Sequence, residues 1–157
     1  MHIRPLDNDD LELVCRQREQ IFREAGRDEA ALQIMAPAFR AWLAPRLHNG
    51  SYFGFAICDG NQPLAAIGMM EIDWPPHPQH PLQDKRGYVL NVYVEPGSRK
   101  QGLAKQLMRQ AEQEFVRRGV QFAILHATPE GKLLYDGIGW QATNEMSKKM
   151  RTDAPAH

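Results

Sequence analysis

Cysteine is scarce in this sequence, and neither sign of charge prevails. The 157 residues include two cysteines, Cys15 and Cys58, with no C-x-x-C pair and no His/Cys array at metal-ligand spacing. This argues against a disulfide scaffold or a zinc module, so we expect two buried free thiols and no metal. With 19 Lys+Arg against 19 Asp+Glu, the chain also lacks the positive excess of a general nucleic-acid or acidic-membrane binder.

Long apolar runs are also missing. No window approaches the ~18 apolar residues of a membrane span, and the first ten residues lack the apolar stretch of a signal peptide. We therefore expect a cytoplasmic protein without a membrane partner. The length fits a single domain over residues 1–151, followed by a frayed tail at 152–157.

In some segments the apolar residues recur every three or four positions, as in a helix, and in others they alternate or run together, as in a strand. Helices are predicted from an Asp7 cap to near Gly26, over 28–49, over 103–118, and in a short stretch around 133–136. Strands are predicted at 2–4, 51–58, 64–72, 88–94 and 121–125, with a terminal hairpin or edge pair from Trp140 to Met150. This order predicts an α/β fold, a mixed sheet with parallel pairing at its centre and helices on both faces.

Proline interrupts the pattern at 73–81, where four prolines fall within nine residues. Proline fixes φ and removes a hydrogen-bond donor, so this segment is predicted to be a surface loop. The loop holds His77 and His80, which resemble half of a metal site. No third ligand accompanies them, and we expect both to be plain surface residues.

The segment richest in chemical information runs from Val92 to Lys105. It reads as a strand that leaves through a basic, glycine-containing loop into the start of a helix. A helix start offers unpaired amide donors and the positive end of the helix dipole, which together suit a pyrophosphate. The small residues Gly102 and Ala104 would let a phosphate approach the backbone, or would serve close helix–strand packing. Neither GxxxxGK[ST] nor GxGxxG is present, so the nucleotide-triphosphate loop and the dinucleotide fingerprint do not apply.

This segment resembles a known family. Arg99-x-x-Gly102-x-Ala104 is similar to the Gln/Arg-x-x-Gly-x-Gly/Ala motif of the GNAT superfamily of acetyl-CoA-dependent N-acetyltransferases. Residues 90–96 resemble the fourth strand of that family, and residues 134–140, with Tyr135, resemble its later Tyr-x-x-x-Gly-Phe segment. The resemblance covers residues 2–150 and implies a GNAT-like mixed sheet with acetyl-CoA as cosubstrate.

Carried over position by position, the resemblance implies a set of residues that bind acetyl-CoA: Val92, Val94, Arg99, Lys100, Gln101, Gly102, Leu103, Ala104, Lys105 and Thr128. Amides from residues 99–105 would hold the pyrophosphate, and the Val92 amide would hold the thioester oxygen as it becomes an oxyanion. Thr128 stands where the family often has an asparagine. Tyr135 matches the tyrosine that protonates the departing thiolate, although a core aromatic is the alternative. Arg99 and Lys100 are alternatively solvated charges.

The acceptor amine must lose a proton before it attacks, because a primary amine has a pKa near ~10.4. Tyr88 occupies the position of the glutamate of histone-type members, so that base is not supported. We expect deprotonation through water by Glu71 or Asp73, which are alternatively solvated loop acids. Asn91, a polar residue in an apolar strand, is expected to orient the substrate or a water, or to be satisfied by neighbouring backbone.

The resemblance places the acceptor against the first two helices, near Met35, Phe39 and Trp42, and near the Trp74 loop and residues 144–145, including Glu145. Phe39 and Trp42 are alternatively residues of the core. Residues 1–86 carry twelve acids against nine bases, which together with Glu145 suits a small cationic amine. A peptide amino terminus or a lysine fits this charge too, and we expect a small-molecule amine. The alternatives are an acyl-CoA sensor without turnover, O-acetylation, or transfer of a longer acyl chain. A homodimer is a further expectation from the family.

Overall fold

A computed structural model describes residues 1–151, which form a five-stranded sheet with helices on both faces. The strands are β1 (His2–Pro5), β2 (Phe53–Asp59), β3 (Gln62–Asp73), β4 (Lys85–Val94) and β5 (Ala123–Leu125). The helices are α1 (Leu11–Glu24), α2 (Glu29–Asn49), α3 (Leu103–Arg117) and α4 (Pro129–Gly137). The predicted α/β mixed sheet is confirmed.

The sheet order is β1-β2-β3-β4-β5, antiparallel from β1 to β4 and parallel between β4 and β5. The parallel pair therefore lies at an edge of the described sheet, and its predicted central position is wrong. The reason is the connectivity: β2, β3 and β4 follow one another through direct strand-to-strand connections, and two helices return the chain from β1 to an antiparallel neighbour, whereas the single helix α3 returns it once to a parallel neighbour.

Helix ends follow their capping residues. The Asp7 side chain accepts from the Asp9 amide at 2.8 Å, and the Asp10 carboxylate accepts from the Asp7 amide at 2.9 Å, a reciprocal capping box before α1. At the end of α2, Gly50 has φ 80°, the left-handed conformation that glycine adopts without steric cost. Both features are local, which explains why the sequence predicted these ends closely.

Successive side chains of the strands point to opposite faces of the sheet and so contribute to two cores, one on each face. On the face covered by α3, the buried residues include Ile67, Met69, Leu107 and Met108. The face covered by α1 and α2 has its own cluster of buried residues: Val14, Cys15, Phe39, Leu43, Leu47 and Tyr52. Both cysteines are free and buried, as predicted.

The segment between β3 and β4 is a loop, as its prolines predict, but it is built around a buried histidine. His80 is 0% exposed, and its Nε2 accepts from Arg86 Nε at 2.9 Å while its Nδ1 meets the Gln83 carbonyl oxygen at 3.0 Å. The Arg86 guanidinium in turn stacks on Trp74 at 4.3 Å. The prediction that His80 is a surface residue is wrong, because an arginine from β4 closes the loop over it.

The predicted hairpin or edge pair from Trp140 to Met150 is also wrong. Trp140 packs against the α3-side core, and its amide bonds the Tyr135 carbonyl oxygen at 3.0 Å. Residues 141–150 are exposed and belong to no strand, and Met146 is 93% exposed. A polar run with little to bury has no strong reason to pair. The predicted tail, 152–157, lies outside the described residues.

Within residues 1–151, no helix is both long enough and apolar enough to span a membrane.

Candidate active site

The sheet opens along one edge of β4. Strand β5 pairs with β4 only at Gly87, Tyr88 and Val89, and β5 ends at Leu125. In the described chain, β4 therefore has no strand beside it on that edge from residue 90 to residue 94. Backbone donors and acceptors along such an edge are available to an extended ligand.

A bulge interrupts β4 within this open stretch. Gly68 of β3 is opposite Leu90 and Ala66 is opposite Tyr93, so Asn91 and Val92 together face a single residue of β3. Asn91 has φ 54°, a left-handed conformation that asparagine tolerates better than most residues. A bulge of this kind bends the strand and releases backbone groups from the ladder.

The Asn91 side chain joins two other polar groups. Its Oδ1 accepts from Arg18 Nη1 at 2.8 Å, and its Nδ2 donates to the buried Tyr52 hydroxyl at 2.9 Å. The sequence predicted a polar role for Asn91 or satisfaction by backbone. Its partners here are the side chains of α1 and of the residue preceding β2.

The loop between β4 and α3 presents an uncapped helix start. Gly102, the residue before α3, has φ 77°, and Lys100 has φ 64°. No side chain of the described residues caps α3, and its first turn carries no acid. A Cβ at Gly102 would meet nothing within 4 Å, so glycine is required here by its backbone conformation rather than by close packing. The free amides of Leu103, Ala104 and Lys105 suit an anion.

Arg99 is tied to the protein rather than free in solvent. Its Nε donates to the Val94 carbonyl oxygen at 2.9 Å, and its Nη2 pairs with the Glu24 carboxylate at 2.8 Å. The Tyr93 hydroxyl donates to the same carboxylate, and this bond holds the pKa of Glu24 below its usual value, with the Arg99 bond and charge acting in the same direction. Arg99 therefore anchors the loop to α1, while Lys100 and Gln101 stay exposed.

Tyr135 lies on α4 and is partly buried against the α3-side core. Its hydroxyl makes no hydrogen bond to any residue in the range 1–151. Burial raises its pKa, so the phenol holds its proton at neutral pH. Thr128 caps α4, because its hydroxyl oxygen accepts from the Gly131 amide at 3.1 Å, which leaves the Thr128 O–H free to donate.

Glu71 is placed on the face opposite the first two helices. Its carboxylate pairs with Lys85 Nζ at 3.0 Å. Strand alternation puts Glu71 on the same face as Met69, which packs towards α3, whereas Met70 packs towards α1 and α2. The same alternation puts Asp73 with Glu71.

A cavity of about 500 Å³ lies between the first two helices and the opened stretch of the sheet. Its walls come from α1, α2, β3 and β4: Arg18, Met35, Ala38, Phe39, Trp42, Met70, Ile72, Tyr88 and Leu90. Phe39 and Trp42 stack at 5.7 Å between ring centroids. The predicted acceptor residues Met35, Phe39 and Trp42 thus come together, whereas Trp74 and Glu145 do not line this cavity.

A chain of hydrogen bonds leaves the cavity at Tyr88. The Tyr88 hydroxyl bonds His126 Nδ1, and His126 Nε2 lies 2.8 Å from a carboxylate oxygen of Glu145. Burial raises the pKa of Tyr88, and the Glu145 charge adds to the rise, while Arg18 opposes it. Because the Glu145 carboxylate can only accept, His126 Nε2 carries a proton and donates to it; in the neutral imidazole, Nδ1 is then the acceptor for the Tyr88 phenol.

Sequence reasoning did not single out His126, which the structure joins to Tyr88 and Glu145. The signal was available, because His126 directly follows the strand predicted at 121–125. Parallel pairing then places Tyr88 opposite Ile124 and brings His126 to the same end of the sheet.

Arg18 was also missed, and its surroundings are unusual for an arginine. The guanidinium lies over the rings of Phe22 at 4.9 Å and Phe39 at 4.6 Å. Its Nε is buried without a hydrogen-bond partner, and no carboxylate of the described chain pairs with it. Burial lowers its pKa. In the sequence, Arg18 reads as one polar residue of an amphipathic helix, so no local signal distinguishes it.

Comparisons with known proteins agree with this geometry. Residues 13–132 match the model of the acetyltransferase (GNAT) family. Among curated proteins, none matches this chain significantly. A GCN5-related N-acetyltransferase from Ralstonia eutropha JMP134 is 58% identical, with a TM-score of 0.93 and coverage of 95% of this chain and 97% of that one.

Two more distant structures share the fold. A predicted acetyltransferase with acetyl-CoA from Clostridium acetobutylicum is 23% identical, with a TM-score of 0.84 and 95% of each chain covered. An aminoglycoside antibiotic 6'-N-acetyltransferase from Acinetobacter haemolyticus is 16% identical, with a TM-score of 0.68, over 97% of this chain and 99% of that one. The family match spans most of the chain, and on that ground this protein belongs to the GNAT family and is an acetyltransferase.

Proposed function

We propose that this enzyme transfers the acetyl group of acetyl-CoA to the primary amine of a small molecule by direct attack in a ternary complex. The observation that carries the proposal is the arrangement around β4. The open edge and the uncapped start of α3 offer a place for the thioester donor, and the cavity beside Leu90 offers a place for the acceptor. Leu90, which lines the cavity, directly precedes the bulge formed by Asn91 and Val92 on the open edge.

The donor side rests on backbone groups. The first-turn amides of α3 hold the pyrophosphate. Of the residues predicted for this role, Arg99 to Gly102 form the loop before the helix, and Leu103 to Lys105 form its first turn. Val92 and Val94 lie on the edge left open beyond Val89, where an extended pantetheine arm can pair with the strand. The Val92 amide then stabilises the thioester oxygen as negative charge develops on it.

The acceptor side requires a base, and the relay of Tyr88, His126 and Glu145 is better placed than Glu71. Tyr88 lines the cavity, whereas Glu71 lies on the other face and pairs with Lys85. As the ammonium yields its proton to the Tyr88 oxygen, the phenol passes its own proton to His126 Nδ1. The Glu145 carboxylate stabilises the imidazolium that forms.

The amine nitrogen then bonds to the carbonyl carbon, and the carbon–sulfur bond breaks to release the thiolate of CoA. The acylated nitrogen loses its second proton to solvent, from which Tyr135 recovers the proton that it gives to the sulfur. Tyr135 supplies the proton for that sulfur, since its burial keeps the phenol protonated. Replacement of Tyr135 by Phe is expected to lower kcat with little change in acetyl-CoA affinity. An unchanged kcat would remove Tyr135 from this role.

A matched pair of glycines tests the donor site. Gly102 and Gly119 stand at the two ends of α3 with φ 77° and 76°, and a Cβ at either position would meet nothing within 4 Å. Gly102→Glu and Gly119→Glu therefore bring the same strain and the same charge to opposite ends of one helix. Calorimetric titration with acetyl-CoA should show binding abolished in Gly102→Glu and retained in Gly119→Glu.

Free thiol released in the presence of an amine panel completes the test. Release that depends on both acetyl-CoA and an amine supports an N-acetyltransferase. Binding of acetyl-CoA without release by any amine would indicate a sensor instead. Normal binding by Gly102→Glu would contradict the placement of the pyrophosphate.

A further inference from the structure

The cavity beside β4 contains a cation without a counter-ion. Of the residues that line it, Arg18 alone carries a formal charge, and the rest are apolar except for the phenol of Tyr88. Across the described residues, the partners of Arg18 are the neutral Asn91 amide and two phenylalanine rings. A guanidinium removed from water is costly to leave without an anion.

The hydrogen-bonding capacity of Arg18 is largely unused. A guanidinium has five N–H donors in a planar fork. One bond, from Nη1 to Asn91 Oδ1 at 2.8 Å, is made to a protein acceptor, and Nε is buried without a partner. Asn91 is itself fixed by the Tyr52 hydroxyl at 2.9 Å, so the fork is held in place. A carboxylate is the planar partner that such a fork binds best.

The charge of the cavity disfavours a simple cationic amine. An ammonium ion placed in this apolar space would be repelled by Arg18, and the nearest acid on the relay, Glu145, is separated from the cavity by Tyr88 and His126. The acidic surplus of residues 1–86, which favoured a cationic acceptor at the level of sequence, is therefore not reproduced in the cavity wall. A zwitterionic acceptor has no such penalty, because its carboxylate neutralises Arg18 while its amine reaches Tyr88.

We propose that the acceptor is an amino-carboxylate with an apolar body, such as an apolar amino acid, whose carboxylate pairs with Arg18. This inference rests on the proposed function for the amine and its acetylation, and it adds the class of acceptor. The apolar body contacts Met35, Phe39 and Trp42. A volume of about 500 Å³ is sufficient for a small molecule of this kind.

Matched acceptor pairs test the role of the carboxylate. Phenylalanine with phenethylamine, and leucine with isoamylamine, differ in the carboxylate alone. Thiol release should give kcat/KM about tenfold or more in favour of the member with the carboxylate, since hydrogen bonds to charged groups contribute that much. Arg18→Met should abolish the preference while keeping an apolar stem, and Arg18→Lys should keep part of it. Arg16→Met is the control, because exposed Arg16 pairs with Glu95 and does not line the cavity.

A binding arm separates this inference from the transfer reaction. Calorimetry with 3-phenylpropionate and 3-phenylpropanamide, in the presence of CoA, involves no amine and no acetyl group. The carboxylate site is supported if the acid binds more tightly than the amide and Arg18→Met loses this preference while keeping its CoA affinity and its unfolding midpoint. This result stands even if no amine is acetylated, because the absence of acetylation would overturn only the proposed transfer reaction. If Arg18→Met does not fold, the same loss is sought in Arg18→Lys as a reduced preference. Equal kcat/KM within the pairs, equal binding of acid and amide, or no binding by any carboxylate overturns the proposal.

Discussion

Each face of the sheet has an arginine stacked on aromatic rings, and the two arginines differ in whether a carboxylate pairs with them. On the α3 face, Arg118 lies over Phe53 at 3.6 Å and also pairs with the Glu114 carboxylate at 2.7 Å. On the face of the first two helices, Arg18 lies over Phe22 and Phe39 and pairs with no carboxylate of the described residues. Stacking on aromatic rings is common to both, and the missing anion is the difference.

The two faces of the sheet differ in packing: one is a closed apolar core, and the other contains a cavity and incompletely paired polar groups. Against α3, the core is closed by apolar side chains such as Leu107 and Met108, which are 0% exposed. Against α1 and α2, the bulge at Asn91 and the cavity interrupt the packing with polar groups. Groups that are buried but incompletely satisfied are typical of a site that a ligand completes. The α3 face therefore chiefly stabilises the fold, and the other face carries the incompletely satisfied groups to which we assign the acceptor.

The largest expected effect concerns the hydrogen-bonded relay of Tyr88, His126 and Glu145. In the described structure, this relay begins at the cavity beside α1 and α2 and has no counterpart on the α3 face. His126→Gln removes the group that receives the proton from Tyr88, so kcat/KM for the acceptor at neutral pH should fall about 100-fold or more. The loss should shrink as pH rises, because an acceptor amine that deprotonates in solution no longer needs the base. A pH profile of kcat/KM measures this.

His48→Gln is the matched control for the relay, since His48 lies on α2 and bonds Asn8 away from the cavity. It should leave the profile unchanged. A His126→Gln profile parallel to that of the native enzyme at every pH would remove the relay from catalysis.

The next prediction compares the effects of truncating two core leucines on stability and on the acceptor KM. Leu107 and Leu43 are each 0% exposed, on the α3 face and the α2 side respectively. Truncation of either to Ala should lower the free energy of unfolding by about 2–5 kcal/mol in urea titrations. Leu43→Ala should also raise the acceptor KM, because Leu43 packs in the cluster that contains Phe39. An equal rise in KM for Leu107→Ala would break the division between the faces.

Much of the fold could be predicted because its signals are local. The Asp7 cap, the glycine after α2 and the hairpin turn at residues 59–62 act on their immediate neighbours, and each was placed to within a few residues. The start of α3 was equally predictable, because the Arg99-x-x-Gly102-x-Ala104 pattern lies in one short segment.

The acceptor side was harder to predict because its chemistry is assembled from distant segments. Arg18 and Asn91 are 73 positions apart, and Tyr88 and His126 are 38 apart. Glu71 shows a different failure. It stands at the expected end of β3, but strand alternation turns its side chain to the face opposite Met70. Checking parity against the neighbouring apolar residues would have revealed this from the sequence.

Two glycines, one on each face of the sheet, test the difference between the α3 face and the face of α1 and α2 by overpacking. A Cβ at Gly68 would lie 2.0 Å from the Tyr52 hydroxyl oxygen, and a Cβ at Gly87 would lie 2.7 Å from Phe115 Cε1. Each alanine variant must displace an aromatic ring and should cost about 1–3 kcal/mol of stability. Gly68→Ala should also raise the acceptor KM, because Tyr52 positions Asn91 and, through it, Arg18. Gly87→Ala should leave that KM unchanged, and a similar rise in both variants would contradict the comparison.

The smallest effect concerns acid sensitivity and completes the comparison. Burial alone would raise the pKa of Asp10, but the Arg4 hydrogen bonds, the Asp7 amide and the Arg4 charge together lower it. Because the folded pKa is depressed, this stabilisation is present above the unfolded pKa of about 3.9 and is lost as pH falls through the folded value. Asp10→Asn should therefore be about 1 kcal/mol less stable at pH 7 and should lose less stability than the native protein on acidification.

Glu114 on the α3 face provides the matched case. The hydrogen bond from Arg117 lowers its pKa, so the sign of the pH dependence is the same. Arg117 is 69% exposed, and solvent screens the pair, so Glu114→Gln should change stability by about 0.5 kcal/mol or less. Urea titrations at pH 7 and at pH 3 measure both variants. A larger acid response from Glu114 than from Asp10 would mean that the α3 face, not the start of α1, governs acid unfolding, because the buried Asp10 carboxylate would then contribute less than a carboxylate whose partner is exposed.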